Sequence, residues 1–194
     1  MNALPQFDIT LATIVDDLPE ELKAVPVSGL AIDSRKVRPG DVFLACAGHE
    51  VDGRDFIGDA VSRGAQAVIA DAPIDAGKWP LPVIPCSALS TRVREKAGRF
   101  YGHPSRDLNL LGVTGTNGKS TVVMLLAQLI EMMNQPCGVI GTLGSGRIER
   151  LESTVNTTPD AVRIQRWMRR LVDDRARALV METSSHALDQ GRVA

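Results

Sequence analysis

The sequence predicts an α/β fold in two parts: a small N-terminal α/β domain, then the first part of a P-loop-type parallel α/β domain. Three observations predict it. Short apolar runs alternate with amphipathic segments along the 194 residues. A Gly/Pro-bearing break, Tyr101–Asp107 (YGHPSRD), interrupts them. Leu110–Leu126 (LLGVTGTNGKSTVVMLL) reads as a strand, a Gly-rich turn and a helix. The expected domains are 1–100, a linker at 101–107, and 108–194.

In chain order, residues 9–18 carry weak helical periodicity and predict a short N-terminal helix. Strands are expected at Gly29–Asp33 and Asp41–Ala47, parted by a turn on Arg38-Pro39-Gly40. Asp55–Arg63 is an amphipathic helix closed by Gly64. Two buried strands follow at Ala67–Ala70 and Pro82–Cys86, then a helix at Ser90–Phe100. After the linker come the strand and helix of the Gly-rich turn, with the helix over 119–133. A strand at Cys137–Thr142 and a turn or hairpin over 143–155 are next. Thr158-Pro159-Asp160 opens a helix reaching about Asp173, and Ala178–Glu182 is a buried strand. Strands alternating with helices imply parallel pairing with right-handed crossovers, and ligands to such sheets bind beyond the strands' carboxyl ends. About three parallel strands after the linker are few for a doubly wound sheet, so the chain is expected to be a piece of a longer protein.

Composition narrows the function classes. The chain is 44% hydrophobic and 23% charged with net charge −1, which argues against a nucleic-acid or anionic-membrane partner. Cys46, Cys86 and Cys137 are far apart and odd in number, so reduced, mostly buried thiols are expected rather than a disulfide framework or metal site. Residues 1–30 lack a basic n-region followed by an apolar h-region, and no apolar run approaches transmembrane length, so the expected compartment is the cytoplasm. Met124, Met132 and Met133 are expected to pack in or near the core, and Arg163, Arg166, Arg169 and Arg170 to form a solvated helix face.

The chemistry gathers at the turns. Gly115 and Gly118 let the backbone turn tightly, and the amides of Gly118, Lys119 and Ser120 point from a helix N-terminus at an anion. Lys119 adds a mobile cation, and Ser120 or Thr121 a hydroxyl for Mg²⁺. The strict phosphate-loop pattern wants a small residue where Val113 stands, with Gly112 one place early. Ser34 can bond a ligand's edge after the first strand, while Asp33 or Arg35 fixes the turn. Asn156-Thr157-Thr158 precedes a helix start, where Thr157 or Thr158 can serve as the N-cap. Glu182, ending a buried strand, offers hard oxygens to Mg²⁺, and Arg192 can pair an anion bidentately. His186 reads either as a catalytic group or as a histidine satisfied by a backbone carbonyl.

The loop TGTNGKS resembles the ATP loop of the Mur ligases and their folylpolyglutamate synthetase relatives. The phrase Ala31-Ile32-Asp33-Ser34-Arg35 with Arg38-Pro39-Gly40-Asp41-Val42-Phe43-Leu44-Ala45, continued by Gly48-His49-Glu50, resembles the N-terminal Mur ligase domain. NTTPD at 156–160, and the METSSHAL phrase with Gln190 and Arg192, resemble the Mur branch that adds the third stem-peptide residue.

That resemblance implies an ATP-dependent amide ligase. It assigns Ile32, Ser34, His49, Glu50 and Val51 to the UDP-sugar. Asn156, Thr157, Thr158, Ser184, Gln190 and Arg192 would hold the muramoyl-dipeptide and its pyrophosphate. Gly115, Thr116, Asn117, Gly118, Lys119, Ser120 and Thr121 would bind ATP, with Ser120 and Glu182 serving Mg²⁺ and Lys119, Glu182 and His186 the catalytic groups. The implied partners are UDP-N-acetylmuramoyl-dipeptide and a diamino acid, on a monomer. A carbamylated lysine and an amino-acid-selecting domain, which the family carries, are not among these residues. A folylpolyglutamate-type ligase and a non-catalytic ATP or UDP-sugar binder are the alternatives.

Overall fold

The computed structural model describes residues 9–48, 51–153, 158–189 and 191 and falls into two units, Met1–Phe100 and Tyr101–Ala194. The first contains α1 (Leu11–Ile14), α2 (Glu20–Lys23), β1 (Gly29–Ala31), β2 (Asp41–Ala45), α3 (Ile57–Ser62), β3 (Ala67–Asp71), β4 (Val83–Cys86) and α4 (Leu89–Phe100). Its strands pair in parallel in the order β1-β2-β3-β4. Every residue of β2 and β3 is buried, which is why these strands read as apolar runs rather than alternations. Phe43, Ala45, Val68 and Ala70 turn one face toward Ile57 and Ala60 of α3. The opposite face meets α4, whose Leu89, Val93, Ala97 and Phe100 form a helical stripe that also receives α1.

Two expectations need correction here. The helix over 9–18 is instead the separate turns α1 and α2, because Asp17 takes a left-handed φ of 51° and Pro19 stands at the N-cap of α2. The strand from Asp41 stops at Ala45, since Ala47 bridges back to Asp52 in a tight loop. The expected closure at Gly64 holds: it has φ 86° and its N–H donates to the Val61 carbonyl.

The second unit contains β5 (Asn109–Val113), α5 (Lys119–Met132), β6 (Cys137–Gly141), β7 (Gly144–Arg147), β8 (Arg150–Glu152), α6 (Ala161–Asp173), β9 (Ala178–Glu182) and α7 (Ser185–Asp189). The sheet runs β5-β9-β6-β7-β8. The three expected strands β5, β9 and β6 are parallel, but β7 and β8 extend the sheet antiparallel, so it is mixed. Glycine makes that extension possible, because Gly144 and Gly146 sit at φ 139° and 135°, where other residues are strained. Val123 and Ala127 of α5 pack on one face with Val139, Ala178 and Val180. Ile164, Met168 and Leu171 of α6 pack on the other with Ile140, Leu179 and Met181. Alternation along β9 therefore sends Ala178, Val180 and Glu182 to the α5 side.

Met124 is partly buried against this core, whereas Met132 and Met133 are 79% and 68% exposed. The end of α5 has rotated them away from the sheet, contrary to expectation. The arginine face of α6 is also less solvated than expected. Arg163 pairs with Asp160, Arg169 with Asp173, and Arg170 with Glu152 while stacking 4.8 Å from the Trp167 ring. Cys86 and Cys137 are buried and Cys46 is half-buried, all three with free thiols. Burial pushes the Cys46 thiol up to about 12 and the Cys137 thiol up to about 11.

Candidate functional site

In the second unit the site forms at the carboxyl ends of β5 and β9. β5 delivers the chain into the loop at Thr114, and α5 leaves it at Lys119. Gly115 has φ 146° and Gly118, the N-cap of α5, has φ 76°. Thr116, Asn117 and Gly118 are exposed, while Lys119, Ser120 and Thr121 occupy the first turn of α5. The Lys119 ammonium donates to the carbonyls of Gly115 at 2.7 Å and Thr116 at 3.3 Å. An ammonium folded onto its own loop is placed to swing onto an anion held by the α5 amides.

Val113 and Glu182 are register partners in the parallel β5–β9 pair, and the Thr183 N–H donates to the Val113 carbonyl at 2.8 Å. Glu182 thus ends β9 beside the start of the loop and on the α5 side. The residue is 2% exposed. The Thr142 N–H donates to Glu182 Oε1 at 2.9 Å and the Thr142 hydroxyl to Oε2 at 3.0 Å. Among the described residues no cationic side chain reaches it. A buried carboxylate with two neutral donors retains acceptor capacity for a hard cation. Among the described residues no three His, Cys, Asp or Glu side chains cluster into a cage. One carboxylate beside a phosphate loop nevertheless fits Mg²⁺, which keeps several waters and takes its remaining ligands from phosphates.

The other predicted residues of this unit scatter in kind. Thr158 is buried, its hydroxyl donating to the Glu182 carbonyl at 3.1 Å and accepting from the Ser184 N–H at 3.3 Å. It anchors the end of β9. The N-cap of α6 is Asp160, whose carboxylate accepts the Arg163 N–H at 2.9 Å, so neither threonine is needed for capping. Ser184 Oγ accepts the Ala187 N–H at 3.1 Å. Asn156, Thr157, Gln190 and Arg192 lie outside the described residues, as does the side chain of His186, whose backbone belongs to α7.

In the first unit the candidate residues also collect at strand carboxyl ends. Asp33 accepts from the Arg35 N–H at 3.1 Å and from its guanidinium at 2.9 and 3.1 Å, with Lys36 at 3.1 Å. These partners, Arg35 foremost, hold the Asp33 carboxyl well below its ordinary range. Asp33 and Arg35 therefore fix the turn, which leaves Ser34 buried at its start and Ile32 exposed before it. After β2, Gly48 N–H donates to the Val51 carbonyl at 3.2 Å and Val51 is 60% exposed. His49 and Glu50 lie outside the described residues. Asp71, at the end of β3, accepts the Ala47 N–H at 2.8 Å and the Leu89 N–H at 2.7 Å. Sequence reasoning missed Asp71 and Thr142. The available signal was an acidic or Gly-Thr ending on a buried strand.

Two family models match this chain: the Mur ligase family catalytic domain over residues 26–100, and the Mur ligase middle domain over residues 113–194. The chain belongs to the Mur ligase family. Among its relatives, the UDP-N-acetylmuramoyl-L-alanyl-D-glutamate--2,6-diaminopimelate ligase of Pseudomonas putida is 52% identical over 85% of this chain and 34% of that protein. The ligase of the same name from Ectopseudomonas mendocina is 50% identical over 91% of this chain and 37% of its own length. This Mur ligase chain thus spans about a third of the curated relatives it matches. A solved diaminopimelate ligase of that name superposes with a TM-score of 0.79 at 30% identity, covering 96% of this chain and 38% of that one. A MurF ligase from Thermotoga maritima in complex with ADP shares the fold, with a TM-score of 0.53 at 22% identity over 81% of this chain and 32% of the other. No helix among the described residues is long and apolar enough to cross a membrane.

Proposed function

We propose that this chain carries the UDP-sugar end and the ATP site of an ATP-dependent amide ligase of peptidoglycan precursor synthesis. The reaction adds diaminopimelate, as the relatives' name has it, to UDP-N-acetylmuramoyl-L-alanyl-D-glutamate. The γ-phosphate of ATP passes to the D-glutamyl carboxylate, and the amine of the diamino acid displaces phosphate from the resulting acyl phosphate. The expected compartment is the cytoplasm, and the expected state a monomer.

The single observation that carries this reading is the register of Val113 with Glu182, which sets a buried carboxylate, met by no cation among the described residues, beside the phosphate loop on the α5 side. The α5 amides and Lys119 would orient the phosphates, and Glu182, with Ser120, would hold Mg²⁺. Mg²⁺ bound there would neutralise charge developing on the transferred phosphoryl oxygens. Ile32, Ser34, His49, Glu50 and Val51 are proposed for the uridine end. Asn156, Thr157, Thr158, Ser184, Gln190 and Arg192 are proposed for the dipeptide and pyrophosphate, and His186 for a catalytic contact. The protein's share is chiefly positioning, which in well-oriented systems supplies about 7–11 kcal/mol of barrier reduction.

A chimera tests it: this chain replaces the matching third of the Pseudomonas putida relative. UDP-muramoyl-tripeptide formed from ATP, the dipeptide precursor and diaminopimelate is the expected product. A folded chimera that binds ATP but forms no tripeptide, or that extends a folate instead, would contradict the reading.

A further inference from the structure

We propose that the dipeptide Gly141-Thr142 is a built seat that aims the Glu182 carboxylate at the nucleotide, Thr142 acting as a positioning residue. The proposal rests on the reading of Glu182 as the Mg²⁺-side carboxylate. Three features of the structure converge on it.

The first is the turn. Gly141 and Gly144 are the last paired residues of the β6–β7 hairpin, so Thr142 and Leu143 make a two-residue connection. Such a turn leaves the first loop amide outside the ladder, and here the Thr142 N–H donates to Glu182 Oε1 at 2.9 Å. The second is the side chain. The Thr142 hydroxyl donates to the other oxygen, Oε2, at 3.0 Å, so one residue grips both carboxylate oxygens from one side. A two-point grip fixes rotation about the last torsion of a glutamate, which is otherwise broad. The third is an absence. A Cβ on Gly141 would lie 2.5 Å from Glu182 Oε1 and 3.0 Å from both Cδ and Cγ. The glutamate side chain lies across the neighbouring strand where only glycine leaves room, as glycines inside strands often do at close approaches.

In this proposal Gly141 and Thr142 act through Glu182. The carboxylate is buried and meets no cation among the described residues, so its direction is set by this seat.

The test uses the 194-residue chain with ADP, monitored in two arms: Mn²⁺·ADP binding by water-proton relaxation, and metal-free ADP binding in EDTA. Glu182→Gln serves as the reference. Thr142→Val and Gly141→Ala should weaken Mn²⁺·ADP binding at least tenfold, as Glu182→Gln does, while metal-free ADP binding changes less than twofold. Thr142→Ser, which keeps both donors, should stay within twofold in both arms. Circular dichroism checks the fold, and Thr142→Ala stands in should Thr142→Val misfold. Loss of Mn²⁺·ADP binding in Glu182→Gln but not in the seat variants overturns the proposal and leaves Glu182 in its role. Equal loss in both arms makes the seat merely structural and overturns it too. Wild-type Mn²⁺·ADP binding that is absent, or indifferent to Glu182→Gln, overturns the reading of Glu182 and the proposal with it.

Discussion

Asp33 shows how one residue can be structural inside a functional phrase. Its carboxylate caps its own turn and binds Arg35 and Lys36, so its folded pKa lies below the unfolded value of about 3.9. The unfolded chain therefore binds more protons as acid is added, and the Asp33 contribution is present above about pH 4 and fades below it. Being near the surface, it is worth about 0.5–1 kcal/mol. Denaturant unfolding of wild type and Asp33→Asn should differ by that amount at pH 6, and the difference should shrink steadily as the pH falls below about 4. A difference that grows on acidification would contradict the assignment. Thr142 is the converse case, a residue with no motif around it that holds the carboxylate proposed for Mg²⁺. Such a residue was illegible in the sequence, because its partner Glu182 is 40 positions away and only the β6–β9 register brings them together.

Among the elements, α6 and β6 meet at a glycine. A Cβ on Gly138 would lie 2.6 Å from Leu171 Cδ2 and 3.0 Å from its Cγ, so Gly138 exists to let α6 approach the sheet. Gly138→Ala should cost about 1–3 kcal/mol by overpacking, and Leu171→Ala about 2–5 by leaving a cavity. The two share one space, so the double variant should be less destabilised than the sum, measured by chemical denaturation. Strict additivity would deny the contact. The parallel strands and their helices were legible because fully buried strands read as apolar runs and amphipathic helices as periodic ones. The β7–β8 hairpin was harder to read, since Gly-Ser-Gly-Arg carries no β-pattern and its glycines adopt positive φ. The outer face of α5 was misread from composition: methionine signals packing only where the helix phase turns it inward, and Met132 and Met133 face out.

For the whole molecule, the exposed side chains Val122, Leu125, Leu129 and Met132 form an apolar stripe along α5. An apolar surface of this kind should bind a hydrophobic dye in the native state. Leu125→Glu with Leu129→Glu should reduce that signal by half or more without lowering Tm, and an unchanged signal would place the dye elsewhere. The candidate sites were legible as phrases because each sits where a strand ends and polar residues interrupt an apolar run. Their partnering was not, since Asp71 and Thr142 act across strands. The central claim is that residues 115–121 and Glu182 form one nucleotide site in a Mur ligase chain. Its most direct test is a titration of Mg·ATP into wild type and Lys119→Ala, with AMP as competitor. At about 4 Å from a phosphate oxygen the Lys119 ammonium is worth about 1 kcal/mol in bulk water and about 4 at an effective dielectric near 20. The variant should therefore bind Mg·ATP from about fivefold to several hundredfold more weakly with an unchanged circular dichroism spectrum, and AMP should compete poorly with wild type. Unchanged affinity in a folded Lys119→Ala, or AMP competing as well as ATP, would contradict the account.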